Sequence, residues 1–107
     1  MQWMQQNFEH DDFGWIVYKT FGAYYINEHW NVKTDKYIGE NVNPLPTNDC
    51  GCGINFATLA WVKNYSGENR EIWRCRINWI DSCSIVVPYN TNGKARCGRM
   101  QLLEVVK

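Results

Sequence analysis

Glu71-Ile72-Trp73-Arg74-Cys75-Arg76-Ile77-Asn78-Trp79-Ile80 is the stretch on which the reading of the chain turns. Trp73, Cys75, Ile77 and Trp79 alternate with Arg74, Arg76 and Asn78, and a period of two sorts these sets onto opposite faces of a β-strand. One face is expected to enter a core. The other carries a polar row with side chains about 7 Å apart. Working backward, residues 13–21 begin Phe13-Gly14-Trp15-Ile16-Val17-Tyr18-Lys19, rich in β-formers and apolar on both faces, which predicts a central strand covered on both sides. Residues 23–27 are expected to extend or pair with it, residues 28–31 and 33–36 to form loop and turn, and residues near 37–42 a short strand.

Two prolines in Asn43-Pro44-Leu45-Pro46-Thr47-Asn48-Asp49 remove ladder donors and restrict the residues before them, so this stretch reads as a surface loop. It leads into Cys50-Gly51-Cys52-Gly53-Ile54-Asn55. Gly51 and Gly53 permit positive φ and close approach of a partner, and Asn55 is a suitable N-cap for a helix over about residues 55–65. Ser66-Gly67 would end that helix. Beyond the alternating strand, residues 84–89 are β-rich. Thr91-Asn92-Gly93-Lys94 carries the Asn-Gly signal of a tight hairpin into residues 94–99, and residues 100–106 read as a closing strand. The sum predicts an α+β domain over residues 13–107, with a mostly antiparallel or mixed sheet of about six short strands and one main helix. Residues 1–12 lack a sustained period of either kind and are expected to form a loosely packed arm.

With 107 residues the chain suits a single core, and a domain of this size buries roughly 65% of the surface its unfolded chain exposes. Six Trp, six Tyr and four Phe supply the apolar mass. No run approaches the ~20 apolar residues of a membrane span. The start, Met1-Gln2-Trp3-Met4, has neither the basic nor the apolar region of a secretory signal, so cytoplasm is the expected compartment. Five cysteines, an odd number, then point to reduced thiols rather than a disulfide framework. Eleven basic residues balance eleven acidic ones, which gives no strong nucleic-acid signature.

Several groups are candidates for chemistry. Cys50, Cys52, Cys75, Cys83 and Cys97 with His10 and His29 contain soft ligands, but a lone Cys-x-Cys without a second close pair is a weak metal signal, and no metal or cofactor is expected. A cysteine nucleophile would need a basic neighbour that the spacing does not supply. Arg74 and Arg76 suit phosphates or carboxylates, since guanidinium contacts both in bidentate fashion, and Lys94, Arg96 and Arg99 would join them if their strands are neighbours. The plainer alternative is a solvated strand face balanced by Glu71 or Asp81. Loops held by a rigid sheet concentrate binding groups, which favours the loop over residues 44–53, Tyr89-Asn90 and the segment from Lys94 to Arg96.

Trp15-Ile16-Val17-Tyr18-Lys19, Cys50-Gly51-Cys52-Gly53-Ile54-Asn55-Phe56-Ala57-Thr58-Leu59, Val86-Val87-Pro88-Tyr89-Asn90, Gly93-Lys94-Ala95-Arg96 and Leu102-Leu103-Glu104 together resemble a small uncharacterised phage and bacterial family. In that family the module occurs alone or beside pentapeptide repeats. The resemblance implies a phage accessory protein and brings no chemistry with it. A fainter likeness is to ADP-ribosyltransferase-like domains, with Tyr18-Lys19 and Gly53-Ile54-Asn55-Phe56-Ala57-Thr58 at the places that frame a nucleotide pocket. Asn55 stands where that likeness implies a histidine, and no late catalytic glutamate is assignable, because Glu104 lies near the C-terminus.

Three functions are therefore carried forward. The favoured one is a non-enzymatic accessory module that binds a small anionic, nucleotide-like ligand or a host protein, so as to counter host defence. Its expected ligand-binding residues are Tyr18, Lys19, Gly51, Gly53, Asn55, Thr58, Arg74, Arg76, Tyr89, Asn90, Lys94 and Arg96. The second is an ADP-ribosyltransferase-like enzyme with Tyr18, Lys19, Asn55 and Thr58 lining a dinucleotide pocket. The third is an interaction module that forms a homo-oligomer through exposed Trp3, Phe8 and Trp30.

Overall fold

The alternating stretch forms β5 (Ile72–Asn78), and it pairs antiparallel along its whole length with β2 (Gly14–Thr20), from Gly14 opposite Asn78 to Thr20 opposite Ile72. The computed structural model that shows this describes residues 2–21, 32–40, 53–65, 71–89, 91 and 93–106. The shared register turns Trp15, Val17 and Lys19 to the same face as Ile77, Cys75 and Trp73. The remaining strands are β1 (Glu9–His10), β3 (Tyr37–Gly39), β4 (Ile54–Ala57), β6 (Lys94–Cys97) and β7 (Arg99–Val105). Their order is β3-β7-β5-β2-β4-β6, every pairing among the described residues is antiparallel, and the sheet curls into a half-barrel. A register shift between Arg74 and Cys75 in the β5–β7 pair adds bend, as an extra residue in one strand does.

One edge of β2 is divided between two partners. β1 takes the first part, with Glu9 opposite Ile16, and β4 the later part, with Tyr18 opposite Ala57. The β2–β4 ladder consists of that single pair, whereas β4 pairs with β6 over all four of its residues. β2 and β4 therefore part on either side of Tyr18, and both cavities described below lie there.

The expected α+β domain with one main helix over about 55–65 is corrected: the chain is mostly antiparallel sheet with small helices. Residues 54–57 are strand, with Ile54 and Phe56 in the core, and only Leu59–Tyr65 are helical (α2). The other helices are α1 (Gln2–Asn7) and a 3-10 segment, Trp79–Ser84. Four residues hold too few repeats for a period of two to be told from one of 3.6, so the helical pattern of residues 59–65 hides the strand that precedes it. The helix cap moves accordingly. Thr58, not Asn55, caps α2, its Oγ1 accepting the Trp61 backbone N–H at 3.2 Å.

The core has two parts, one on each face of the sheet. The larger holds Trp15, Val17, Phe56, Trp73, Ile77 and Leu102 with neighbouring apolar side chains. Residues 2–10 contribute to it: Met4 is fully buried, Phe8 is buried edge-on against Phe56, and Trp3 is packed against them. The smaller part, on the opposite face, is Ala57, Val62 and Ile72, covered by Tyr18, Leu59 and Trp61. Residues 84–89 form no regular strand: they pair with the sheet through an isolated bridge between Val86 and Arg96 and send Ile85 into the core, and Trp79, expected inward, is half-exposed in the 3-10 turn. Residues 23–31, 41–52 and 66–70 lie outside the described residues, and with them the expected loop over 44–49 and Trp30.

Candidate functional site

Where β2 and β4 part after Tyr18 and Ala57, a cleft of about 190 Å³ opens, lined by Tyr18, Lys19, Thr20, Asn55, Phe56, Ala57, Trp61, Val62 and Lys94. Its walls are mostly apolar. The strand registers place Thr20, Asn55 and Lys94 on the sheet face that α2 covers, while Lys19 leaves β2 on the opposite, core-facing side. Lys19 reaches the gap from there: its Nζ donates to the Asn55 main-chain oxygen at 2.8 Å and lies 5.3 Å from the centre of the Phe21 ring.

Two polar atoms at this cleft, Thr20 Oγ1 and Asn55 Oδ1, are buried and have no hydrogen-bond partner among the described residues. Such atoms are rare because each costs about 1–3 kcal/mol of lost hydration. The electrostatics are equally uneven. Burial pushes the Lys19 amine down to about 8, Lys94 adds to that shift, and the nearby Cys75 and Cys97 oppose it. The same burial pushes both thiols up to about 12, so they are inert hydrophobes at neutral pH.

The sequence candidates divide among several places. Tyr18, Lys19, Asn55 and Lys94 come together at the cleft. Thr58 lines a neighbouring cavity of about 250 Å³ on the other side of Tyr18, shared with Asn7, Phe8, Glu9, Ile16 and Leu59. Gly53 has φ 134° and leads into β4, a conformation that favours glycine. Arg74 and Arg76 lie away from the cleft on β5: Arg74 pairs with Glu104 at 3.2 Å, and Arg76 with Asp11 at 2.7 Å and Gln101 at 2.9 Å. Their strand is separated from β6 by β2 and β4, so Lys94 and Arg96 do not extend the arginine row, whereas Arg99 lies on the neighbouring β7. Arg96 is fully buried and Tyr89 largely exposed. Gly51, Asn90, Cys50 and Cys52 lie outside the described residues.

Thr20 and Trp61 line the cleft without having been singled out from the sequence. Thr20 follows Lys19 directly, and its hydroxyl lies at the cleft past the single β2–β4 pair. Among the described residues, no three or more His, Cys, Asp or Glu side chains group as metal ligands, and no helix is long and apolar enough to cross a membrane. No family model, no curated protein and no solved structure matches the chain.

Proposed function

We propose that this chain is a binding module for a small anionic, nucleotide-like ligand, held in the cleft between β2, β4, β6 and α2. The observation that carries the reading is the pair of buried, unpartnered atoms, Thr20 Oγ1 and Asn55 Oδ1, beside two lysines. A ring with a polar edge supplies partners for both and recovers the hydration they have lost. Trp61 and Tyr18 offer the ring an aromatic wall, and Lys94 on β6 offers the anionic group a cation. The size of the cleft limits the ligand. Sites for drug-sized molecules span about 300–1,000 Å³, so about 190 Å³ suits a single base or ring and not a whole dinucleotide. That disfavours the ADP-ribosyltransferase-like alternative. The resemblance to a phage and bacterial family favours interception of a host small molecule, as a counter to host defence, over a metabolic role.

Thermal-shift titration with nucleoside monophosphates, the corresponding uncharged nucleosides and cyclic dinucleotides tests the reading. At least one nucleotide should raise Tm by the amount mass action requires, about 2.7 kcal/mol of stabilisation at a hundred times Kd. Nucleosides should do less, and Lys94→Ala and Asn55→Ala should each weaken the effect. A flat response to every nucleotide removes the small-ligand reading and leaves binding of a host protein.

A further inference from the structure

We propose that the Lys19 amine is a covalent capture site for small ring aldehydes that carry an anionic group, which it holds as an imine. The inference rests on the cleft being a ligand site, as in the preceding reading, and adds a reactive group to it.

Lys19 is the one lysine of β2. It leaves the core face of the sheet and ends in the gap between β2 and β4, so its Nζ is among mostly apolar walls and still borders the cleft. A desolvated lysine is a nucleophile because the neutral amine carries the lone pair. The groups around it agree with this role: burial and Lys94 on β6 disfavour the charged amine and outweigh the opposing influence of Cys75 on β5 and Cys97 on β6. At pH 7 the neutral fraction of Lys19 is about 300-fold that of an ordinary lysine side chain. Lys94 gives the cleft a second cation for the anionic group of the aldehyde, and Trp61 gives it a flat wall for the ring.

In the reaction the neutral Nζ gives up its N–H bond to the Asn55 carbonyl and its lone pair attacks the aldehyde carbon, the C=O π pair moves to oxygen, and that oxygen takes a proton from the nitrogen. Loss of the hydroxyl as water with the remaining N–H proton gives the imine. One water is released and nothing is oxidised or reduced. Thr20 Oγ1, buried without a partner at the same cleft, is a hydroxyl available to pass the proton.

The test uses the intact chain with 4-formylbenzoate or pyridoxal 5′-phosphate at pH 7.5, trapped with borohydride and mapped by mass spectrometry. The expected result is one adduct per chain, at Lys19, at least tenfold over the adducts at Lys33, Lys36, Lys63, Lys94 and Lys107. Benzaldehyde, which lacks the anion, should label more weakly. Adducts spread over the lysines, or concentrated at Lys94, overturn the proposal, and because the map is read on the unaltered chain, no variant has to fold. Lys19→Arg, shown by circular dichroism to retain its sheet, should then lose the adduct. Nucleotide binding is measured separately. A nucleotide-induced Tm shift without the Lys19 adduct sinks this inference alone, the adduct without a shift sinks the nucleotide reading alone, and neither result sinks both.

Discussion

The Lys19 side chain donates to the Asn55 main-chain carbonyl at 2.8 Å, across the gap where β2 and β4 cease to pair. A cation thus supplies a hydrogen bond to the backbone where the ladder has none. The bond ties one strand to the next and keeps the amine in apolar surroundings, which links the stability of the sheet to the protonation of one side chain.

Folding lowers the Lys19 pKa from 10.5 to about 8, so the unfolded chain binds this proton more tightly than the folded one. Stability from this group therefore rises with pH between about 8 and 10.5, and below 8 the folded state carries the full cost of about 3 kcal/mol. Cys75 and Cys97 act in the opposite sense above about 9, since their folded values are raised to about 12. Comparison with Lys19→Met removes the thiol contribution apart from its coupling to the Lys19 charge. The stability of Lys19→Met relative to the parent should fall by about 3 kcal/mol from pH 7 to pH 10.5, read by urea denaturation at each pH. A difference that does not change with pH would show that the amine is not desolvated.

Asp11 holds the turn between β1 and β2. Its Oδ1 accepts the Phe13 and Gly14 N–H groups at 2.8 and 2.9 Å, and its Oδ2 accepts from Arg76 at 2.7 Å. Burial works to raise its pKa, but the Arg76 hydrogen bond, the two backbone N–H groups and the Arg76 charge outweigh it and hold the carboxyl below 3.8. Its contribution is complete above the unfolded value and is lost as pH falls below about 4 through the folded value. Asp11→Ala should cost about 1–2 kcal/mol at pH 7, and progressively less as pH falls below about 4 and the parent carboxyl takes up its proton. Asp11→Asn, which keeps the turn acceptor and loses the charge, should fall between the two in thermal denaturation at pH 7.

Gly14 stands opposite Asn78 at the start of the longest ladder, and a Cβ there would lie 2.0 Å from the Ile77 carbonyl oxygen. The obstacle is backbone, so β2 and β5 would have to move apart. Gly14→Ala should destabilise by about 3 kcal/mol or more, at the severe end for a point change. Amide exchange would report faster opening of the β2–β5 bonds.

Thr58→Ala removes the acceptor for the Trp61 N–H at the start of α2 and should cost about 1 kcal/mol. Thr58→Ser keeps the oxygen and should cost less. Because Trp61 borders the cleft and packs on Ala57, Val62 and Ile72, its fluorescence should shift in Thr58→Ala but remain near the parent in Thr58→Ser.

How much the sequence disclosed depended on the length of each pattern. The alternation from Trp73 to Asn78 and the apolar run from Gly14 to Lys19 carry enough repeats to mark two strands, and β5 and β2 form there. At Ile54–Ala57 the pattern is too short, and pairing with β6 made those residues a strand where a helix had been expected. The cleft follows the same division. The faint resemblance marks Tyr18, Lys19 and Asn55, and the position of Lys94 after the hairpin marks it as a candidate cation. The sequence could not show that Arg76 is engaged by Asp11, 65 positions earlier, or that Thr20 and Trp61 complete the cleft.

The sequence by itself determined the strands β2 and β5, the aromatic-rich core they support and the lysine next to the end of β2, because local periodicity and side-chain chemistry belong to the residues. Only the tertiary structure decided the strand order, the single-pair ladder at Tyr18 and Ala57, and the lowered proton affinity of Lys19. Each of these arises from burial and hydrogen bonding between segments far apart in the chain, and no local pattern encodes which distant backbone will leave an amine dry.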